Sequence, residues 1–538
     1  MLKGTARSLF LVLIVVLACG TLGAVFGQRI TGDNQQSDNA IRDNLKDFTQ
    51  IYSLVEQNYA EPVSADKSIY DGAIPGMLRV LDPHSNFFDP KAYSQLRDDQ
   101  RGRYYGVGMS VGPRNNKIIV IAPFAGTPAF RAGLRPGDII AAVDGKPTDN
   151  MSTGDVADLL KGAKGTTVKI TVIREGHEKP IEFSVVRDEI PRNSVDLAFL
   201  IQPGVGYIHL NGFQETTDKE ITDALNSFGE IKGLIFDLRG NPGGLLSEGV
   251  AVADKFLKKG QVIVSHHGRN SAERVYRAQH GNNGHDFPLV ILVNRGTASA
   301  AEIVSGAVQD HDRGLIAGEI TFGKGLVQTV YPLSENTGLA LTTAKYYTPS
   351  GRLIQRDYNG VSFYDYYYNR PTNDTGKDNQ GANANREVKL TDSGRTMYGG
   401  GGISPDVRID TPKATKFQDV LLYKYAFFNF SKHYLIDHKV EKNFQVNDEV
   451  MTEFRHFLND QQITYNENEM TEVQDWVKAN IKSELFTSVF GQQDGLKARA
   501  EWDPMIKKAI ELLPQAAQLQ QHAIEAMNHK RAAVASAQ

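Results

Sequence analysis

One cysteine, Cys19, stands in 538 residues, which excludes an intrachain disulfide framework and a thiolate metal cluster together. An excess of charge of either sign is also missing. Lys and Arg number 59 against 63 Asp and Glu, a net charge of −4, and no local basic patch marks a nucleic-acid partner. His266, His267, His280 and His285 lack the HExxH spacing that places two imidazoles on one helix face, so no metal is read from them and no cofactor is called for. What remains is ordinary globular composition, 41% hydrophobic and 23% charged, in a chain long enough for three or four domains.

The N-terminus carries the one long apolar run that shapes the reading of location. Lys3 and Arg7 precede an uncharged stretch from Leu9 to Phe26, the length of a signal h-region or a marginal membrane span. The two cations keep the first residues cytoplasmic and put the bulk outside, as an anchored or secreted extracytoplasmic protein of the periplasm or cell envelope. The phrase VLAC, ending at Cys19, resembles a lipoprotein processing site; a cleaved signal or retained anchor ranks ahead of lipidation. From Asn39 to Val80 the positions Ile41, Leu45, Phe48, Ile51, Val55, Ile74, Met77 and Leu78 suit amphipathic helices. The phrase LDPHSNFFDP (Leu81 to Pro90) interrupts them with turn chemistry and reads as architectural.

The chemistry concentrates between Val293 and Val330. PLVILV (Pro288 to Val293) reads as a buried strand, and Ala300, Ile303, Val304, Ala307 and Val308 recur at helical spacing after the turn NRGT. Ser299 therefore opens a helix, where first-turn amides have no intrahelical partner, and the amide of Ala300 is a natural donor to a developing oxyanion. Lys324 follows in FGKGLVQTVYPL, a turn running into a strand, with Gln328 four positions on. That spacing puts the two side chains on one side of a strand and near each other on a helix, so Gln328 can orient the amine.

Upstream, RGRYYGVGMSVGP (Arg101 to Pro113), AGLRPGDIIAAVDG (Ala132 to Gly145), a helix around Asp155 to Leu160 and TVKITVIREG resemble a PDZ domain over some 85 residues. In such domains free loop amides hold a peptide's terminal carboxylate while the peptide pairs with the next strand. Tyr105, Gly106, Val107 and Gly108 occupy that loop position. VGYIHLNGF, a helix from Thr217 to Phe228, then GLIFDLRGNPGGLL alternate strand and helix as an α/β core does. The turn Asn241 to Gly244 presents further amides at a helix start.

SAAEI after a strand, GKGLVQ, DLRGNPGG, LALTTAKYYTPSGRLIQ and GRTMYGGGGISPDV together resemble the carboxyl-terminal processing, or tail-specific, proteases, serine endopeptidases with a Ser/Lys dyad. The resemblance implies Ser299 as nucleophile, Lys324 as general base, Gln328 as its orienting partner, and Gly243 or Gly244 as second oxyanion donor beside Ala300. Thr297 and Ala301 stand where many members have serine. It also implies an α/β multidomain fold: a crotonase-like spiral core with an inserted PDZ domain, β-sandwich or barrel-like, between helical N- and C-terminal regions. The expected organisation is a signal or anchor at 1–28, helices at 29–98, the PDZ domain at 99–188, the protease core at 189–412 with an exposed insert at 361–388 whose second half is mobile, and helices at 413–538. Partners expected are protein or peptide substrates with free C-termini, the membrane through the first segment, and a second copy through the helical regions.

Three competitors bear weighing. In a Ser-His-Asp hydrolase His311 would be the base, but twelve residues of continuous helix put it about 18 Å from Ser299, and a role at the helix C-terminus suits it better. Asp310 aligns with a carboxylate of interest in the family; the same distance favours an accessory, structural role. A silent PDZ scaffold would lack the nucleophile or the base, and both are present. Acyl-CoA chemistry on a crotonase-like core sits poorly with an export signal and a PDZ domain.

Overall fold

The protein is described from a computed structural model that covers residues 39–114, 116–368 and 387–537. The first 28 residues, with the signal or anchor reading and Cys19, lie outside these. No helix among the described residues is long and apolar enough to cross a membrane. The chain forms two compact units that divide between Leu81 and Asp82. In the first, the expected helix runs over residues 39–58, and a short helical stretch from Lys67 to Arg79 contributes one buried apolar side chain, Leu78.

The second unit begins with the phrase read as an architectural turn. Asp82 folds it by accepting the amides of His84 and Ser85, and Asn86–Phe88 continues as a strand. Helix α1 (Pro90–Arg101) follows, capped by Asp89 onto the Ala92 amide, opened by Pro90 and closed by Gly102 in the left-handed region. Because Asn86–Phe88 pairs with a strand of the protease region, these residues belong with it rather than with the helices before them.

The PDZ-like region is a sheet ordered Met109–Arg114 (β1), Lys117–Pro123, Ile139–Val143, Thr167–Ile173, Ile181–Val186, with α2 (Thr153–Leu160) packed against it. Val120, Ile140, Val143, Val156, Val168, Ile170 and Val172 form its core. Asp144 and Gly145 both take positive φ, the tight hairpin turn expected of Asp-Gly. Strand β1 is an edge strand, with one side unpaired in the sheet.

The core sheet runs β2 (Val195–Gln202), β3 (Val205–Leu210), β4 (Gly233–Asp237), β5 (Leu289–Val293), β6 (Leu315–Gly318), then Val407–Arg408, parallel from β3 onward. Every residue of β4 and β5 is buried, as a parallel sheet covered on both faces requires. One face carries α3 (Leu246–Asp254) and α4 (Ala300–Asp310) over Phe236, Leu238, Ile291 and Val293. Helix α4 is buried at all eleven positions, not only on the stripe its spacing suggests; Gly306 allows this, since a Cβ there would stand 3.0 Å from Thr348. The other face is covered by the C-terminal helices: Ile506, Ala509 and Leu513 pack on Ile235, Val290 and Leu292. Each such aliphatic side chain contributes about 1.5–3 kcal/mol on leaving water, so the tail completes the sheet's second hydrophobic layer.

A second sheet brings β7 (Leu326–Pro332) against β8 (Gly338–Tyr347), which also pairs with Asn86–Phe88 and Val262–Gly268. The insert is exposed at Val361, Ser362, Phe363, Tyr364 and Tyr368, as expected of it, but it is not loop throughout. Phe363–Tyr367 is a short helix and Tyr366 is buried, because its ring packs among His84, Phe322 and Tyr358. The part expected to be mobile falls largely on residues 369–386, outside those described.

Candidate active site

Strand β5 ends at Val293, and the turn to α4 is tied to the neighbouring Gly240–Gly244 turn at three points. Asn294 Oδ1 accepts the amides of Gly240 and Gly296, Thr297 Oγ1 donates to the Leu238 carbonyl, and the Ala298 amide donates to Asn241. Ser299 sits at the N-cap of α4 with φ 55° and ψ −118°, a conformation that costs an L-residue of order 1–3 kcal/mol and persists only when its surroundings impose it. Two side chains impose it.

Glu302 is fully buried on the first turn of α4. Its Oε2 accepts the amides of Ser299 (2.8 Å) and Lys324 (2.9 Å); its Oε1 accepts the Thr321 hydroxyl (2.5 Å) and the Gly323 amide (2.7 Å). Four donors match the acceptor sites of a carboxylate. Burial raises its pKa, and the four hydrogen bonds offset that rise only in part. From the opposite side, Tyr346 on β8 aims its hydroxyl at the carbonyls of Ser299 (3.1 Å) and Lys324 (2.6 Å). One carboxylate therefore binds both amides and one phenol both carbonyls, which fixes the two residues' backbones relative to each other.

Lys324 is half-buried, and burial lowers its pKa although the charges of Glu302 and Asp82 oppose the shift. Its amine enters no salt bridge among the described residues. Gln328 lies on β7, where its Nε2 donates to Thr342 Oγ1 at 3.2 Å. The spacing argument assumed one element for both residues; Lys324 instead precedes β7, and an irregularity in the pairing falls between Val327 and Gln328.

On the other side of Ser299 lies the glycine turn. A Cβ on Gly243 would stand 2.7 Å from Ser299 Cβ and 3.0 Å from the Ala300 nitrogen, so only glycine fits beside Ser299 here. The Gly243 amide donates to Asn241 Oδ1 at 2.8 Å. Among the described residues the amides of Gly244 and Ala300 donate to no protein acceptor.

His311 is the C-cap of α4, at the far end from Ser299, and both ring nitrogens are engaged: Nδ1 with Asp392 Oδ2 and Nε2 with the Val262 carbonyl, each at 2.7 Å. Burial alone would lower its pKa, but these two partners raise it, which suits a structural cation more than a base. Asp310 pairs with the buried Arg352 and accepts the Ser350 amide and hydroxyl, closing the end of α4. His266 lies beside Tyr276, His267 stacks on Tyr347, His280 bonds Asp254, and no group of His, Cys, Asp or Glu among the described residues is arranged to hold a metal.

The loop read as a carboxylate seat narrows on inspection. Tyr105 and Gly106 end a strand paired with Asp188 and Glu189, and Gly108 is locked by Thr127 Oγ1 on its carbonyl. Val107 and Gly108 keep amides that donate to no protein acceptor among the described residues, beside the edge strand β1.

Comparison with known proteins decides the family. Residues 204–362 match the model for peptidase family S41, 119–174 a PDZ domain, 24–92 the N-terminal domain of activating protease CtpB, and 417–472 the C-terminal helical domain of probable PDZ-proteases. A carboxy-terminal-processing protease of Bartonella bacilliformis is 38% identical over 337 residues, 62% of this chain and 76% of that protein. The chain belongs to the carboxy-terminal-processing protease family. It is thus a serine-type peptidase with a PDZ domain. A carboxy-terminal processing protease of Bacillus subtilis is 34% identical over 66% of this chain and 76% of its own length. Among solved structures, a photosystem II D1 C-terminal processing protease is 32% identical over 68% of this chain and 86% of its own, with a TM-score of 0.34.

Proposed function

We propose that this carboxy-terminal-processing protease cleaves exported proteins near their C-termini with Ser299 as nucleophile and Lys324 as general base. The observation that carries the reading is the Glu302 carboxylate shared by the amides of both residues, with Tyr346 on both carbonyls. Ser299 Oγ attacks the scissile carbonyl as its proton passes to the neutral Lys324 amine; the ammonium so formed gives that proton to the departing peptide nitrogen as the C–N bond breaks, leaving an ester on Ser299, and the amine, neutral again, takes a proton from the water that hydrolyses the ester and returns it to Ser299 Oγ. A neutral amine is needed, and the burial that depresses the Lys324 pKa supports it. The tetrahedral oxyanion takes the amides of Ala300 and of Gly244 in the glycine turn, which among the described residues donate to no protein acceptor, while Asn241 holds the Gly243 amide. Gln328, bonded to Thr342, steadies the strand that leaves Lys324. Asp310 keeps its accessory role at the far end of α4.

The tail of the substrate is read by the PDZ domain, its carboxylate on the amides of Val107 and Gly108 and its strand against the free edge of β1. Location outside the cytoplasm, by a signal or anchor, rests on Lys3, Arg7 and the apolar run to Phe26. Cleavage of a peptide with a free C-terminus by wild type, Ser299→Ala, Lys324→Ala and His311→Ala tests the dyad: the first two variants should be inactive and the third largely active. Activity in Lys324→Ala with loss in His311→Ala would overturn it.

A further inference from the structure

The phrase LDPHS has no part in the chemistry so far, yet its turn is bonded to β8, the strand that pairs with β7 just after Lys324. Asp82 Oδ2 accepts the Ser85 hydroxyl at 2.8 Å, and that hydroxyl accepts the Thr342 amide at 3.1 Å. Thr342 is the residue whose hydroxyl takes the Gln328 amide. The strand Asn86–Phe88 then pairs with β8 through Ala340, Leu339 and Gly338.

His84, half-buried between these anchors, is walled by aromatic rings. Tyr366, Tyr367 and Phe322 meet its ring edge-on with centroids at 5.5, 5.9 and 6.4 Å. Its protonation follows from its partners. The Tyr367 hydroxyl gives its proton to the Pro83 carbonyl (3.0 Å), so it can only accept from His84 Nδ1 (3.1 Å). Nε2 is left to accept from the Tyr366 hydroxyl at 3.0 Å. The imidazole is neutral and satisfied, and burial, with the nearby Lys324 charge, holds its pKa down at about 4. From Tyr366 the contacts continue to Lys324: its hydroxyl accepts Gln355 Nε2 at 3.1 Å, and Gln355 Oε1 accepts the amide of Gly325 at 2.8 Å. Phe322, two residues before Lys324, packs on the Tyr366 and Tyr367 rings and completes the aromatic cluster against His84.

We infer that the Asp82–Ser85 turn is a wall of the active site and that His84 is a positioning residue, whose ring excludes water from the Lys324 amine and holds its loop through Tyr366 and Gln355. The inference rests on the Ser/Lys reading and adds what keeps the lysine dry. The charged and titratable groups around His84 are Asp82 on its own turn, Lys324 on the loop before β7, Arg356 over the Phe322 and Tyr366 rings, and the two tyrosines; Glu302 faces Lys324 from α4. Among these, Asp82 and Glu302 favour a charged lysine and the apolar wall opposes them.

The test is the pH dependence of kcat/KM for a peptide substrate, measured on the full exported chain as wild type, His84→Ala and His84→Phe. Wild type should lose activity as pH falls through the Lys324 value. In H84A water reaches the amine, the limb moves to higher pH by about one unit or more, and at a fixed pH on the limb kcat/KM falls about tenfold or more. In H84F an aromatic ring still fills the wall, and the limb should stay within about 0.3 unit of wild type. Should H84A fail to fold, His84→Gln, which keeps a partner for Tyr366 but not the flat ring, should show a smaller shift of the same sign. A drop of equal size at every pH with the limb in place, in H84A or H84Q, would reduce His84 to scaffolding and overturn the inference. The dyad reading fails in a different way: wild type itself would show no limb, or Lys324→Ala would remain active.

Discussion

Replacing Glu302 by Gln separates the geometry of the active site from its electrostatics. The carboxylate accepts four donors in the folded protein, two on each oxygen. An amide keeps one accepting oxygen and turns an NH2 toward two donors, so two charge-assisted bonds are lost at about 1.5–3 kcal/mol each. Part of this is returned, because the glutamine escapes the desolvation that raises the glutamate pKa. A net cost of about 3 kcal/mol is expected, read as a fall of a few degrees in Tm, together with a kcat loss of about 100-fold as Ser299 relaxes from its strained φ. The pH profile moves the other way. Glu302 raises the Lys324 pKa, so its removal lets that value fall further. A base that works as the neutral amine is active above its pKa and fails as pH drops through it, and the acid limb of the weakened enzyme should therefore shift to lower pH. Steady-state kinetics across pH 5 to 10 with parallel thermal melts reads both. Wild-type kcat in E302Q, or a limb displaced to higher pH, would refute the reasoning.

Other perturbations follow from single contacts. Gly243→Ala puts a Cβ at 2.7 Å from Ser299 Cβ in a left-handed backbone; kcat should fall about 10²–10³-fold, as on loss of an oxyanion donor, with KM little changed. Lys324→Met should abolish turnover yet raise Tm near neutral pH, since a lysine with a depressed folded pKa costs stability below its unfolded value, and this gain should vanish as pH approaches 10. Tyr346→Phe removes one hydroxyl from two carbonyls; a kcat loss of about tenfold or more with unchanged KM is expected, and an unaltered kcat would show the phenol to be dispensable. A peptide ending in a carboxamide should bind the segment from about Gln100 to Asp188 more weakly than its acid and be cleaved more slowly, measured by calorimetry and by product release; equal values would remove tail selection from the PDZ domain.

Ser299, Lys324 and the glycine turn were legible because each sits in a short stretch whose own chemistry speaks: a helix start, a lysine between glycines, a turn that ends a buried strand. Glu302 carried a signal that went unread. Serine followed by glutamate three positions on is the capping-box spacing, and Glu302 does reach back to the Ser299 amide. Tyr346 and His84 lie in phrases the sequence singled out, LALTTAKYYTPSGRLIQ and LDPHSNFFDP, but their placement did not show there, since only the β7–β8 hairpin and the pairing of Asn86–Phe88 with β8 bring them toward Ser299 and Lys324. The C-terminal helices showed their periodicity, but not that Ile506 and Leu513 cover the second face of the core sheet. Arg239 of the DLRGNPGG phrase ties that layer to the end of β4 by pairing with Asp237 and with Asp503 at the start of α5 (Pro504–Glu511). In the tyrosine-rich insert Phe363, Tyr364 and Tyr368 are exposed as their run without period suggests, but Tyr366 is not, because it packs on partners far away in sequence.

A single labelling experiment bears on nucleophile and base together. A fluorophosphonate that mimics the tetrahedral intermediate is reacted with wild type and with Lys324→Met at a series of pH values, and the adduct is located by peptide mass spectrometry. With Ser299 as nucleophile and a buried neutral Lys324 as base, the label lies on Ser299, its second-order rate rises with pH through a value below the 10.5 of a free lysine, and Lys324→Met removes both rate and pH dependence. Label on another residue, or equal rates in Lys324→Met and wild type, would contradict the dyad.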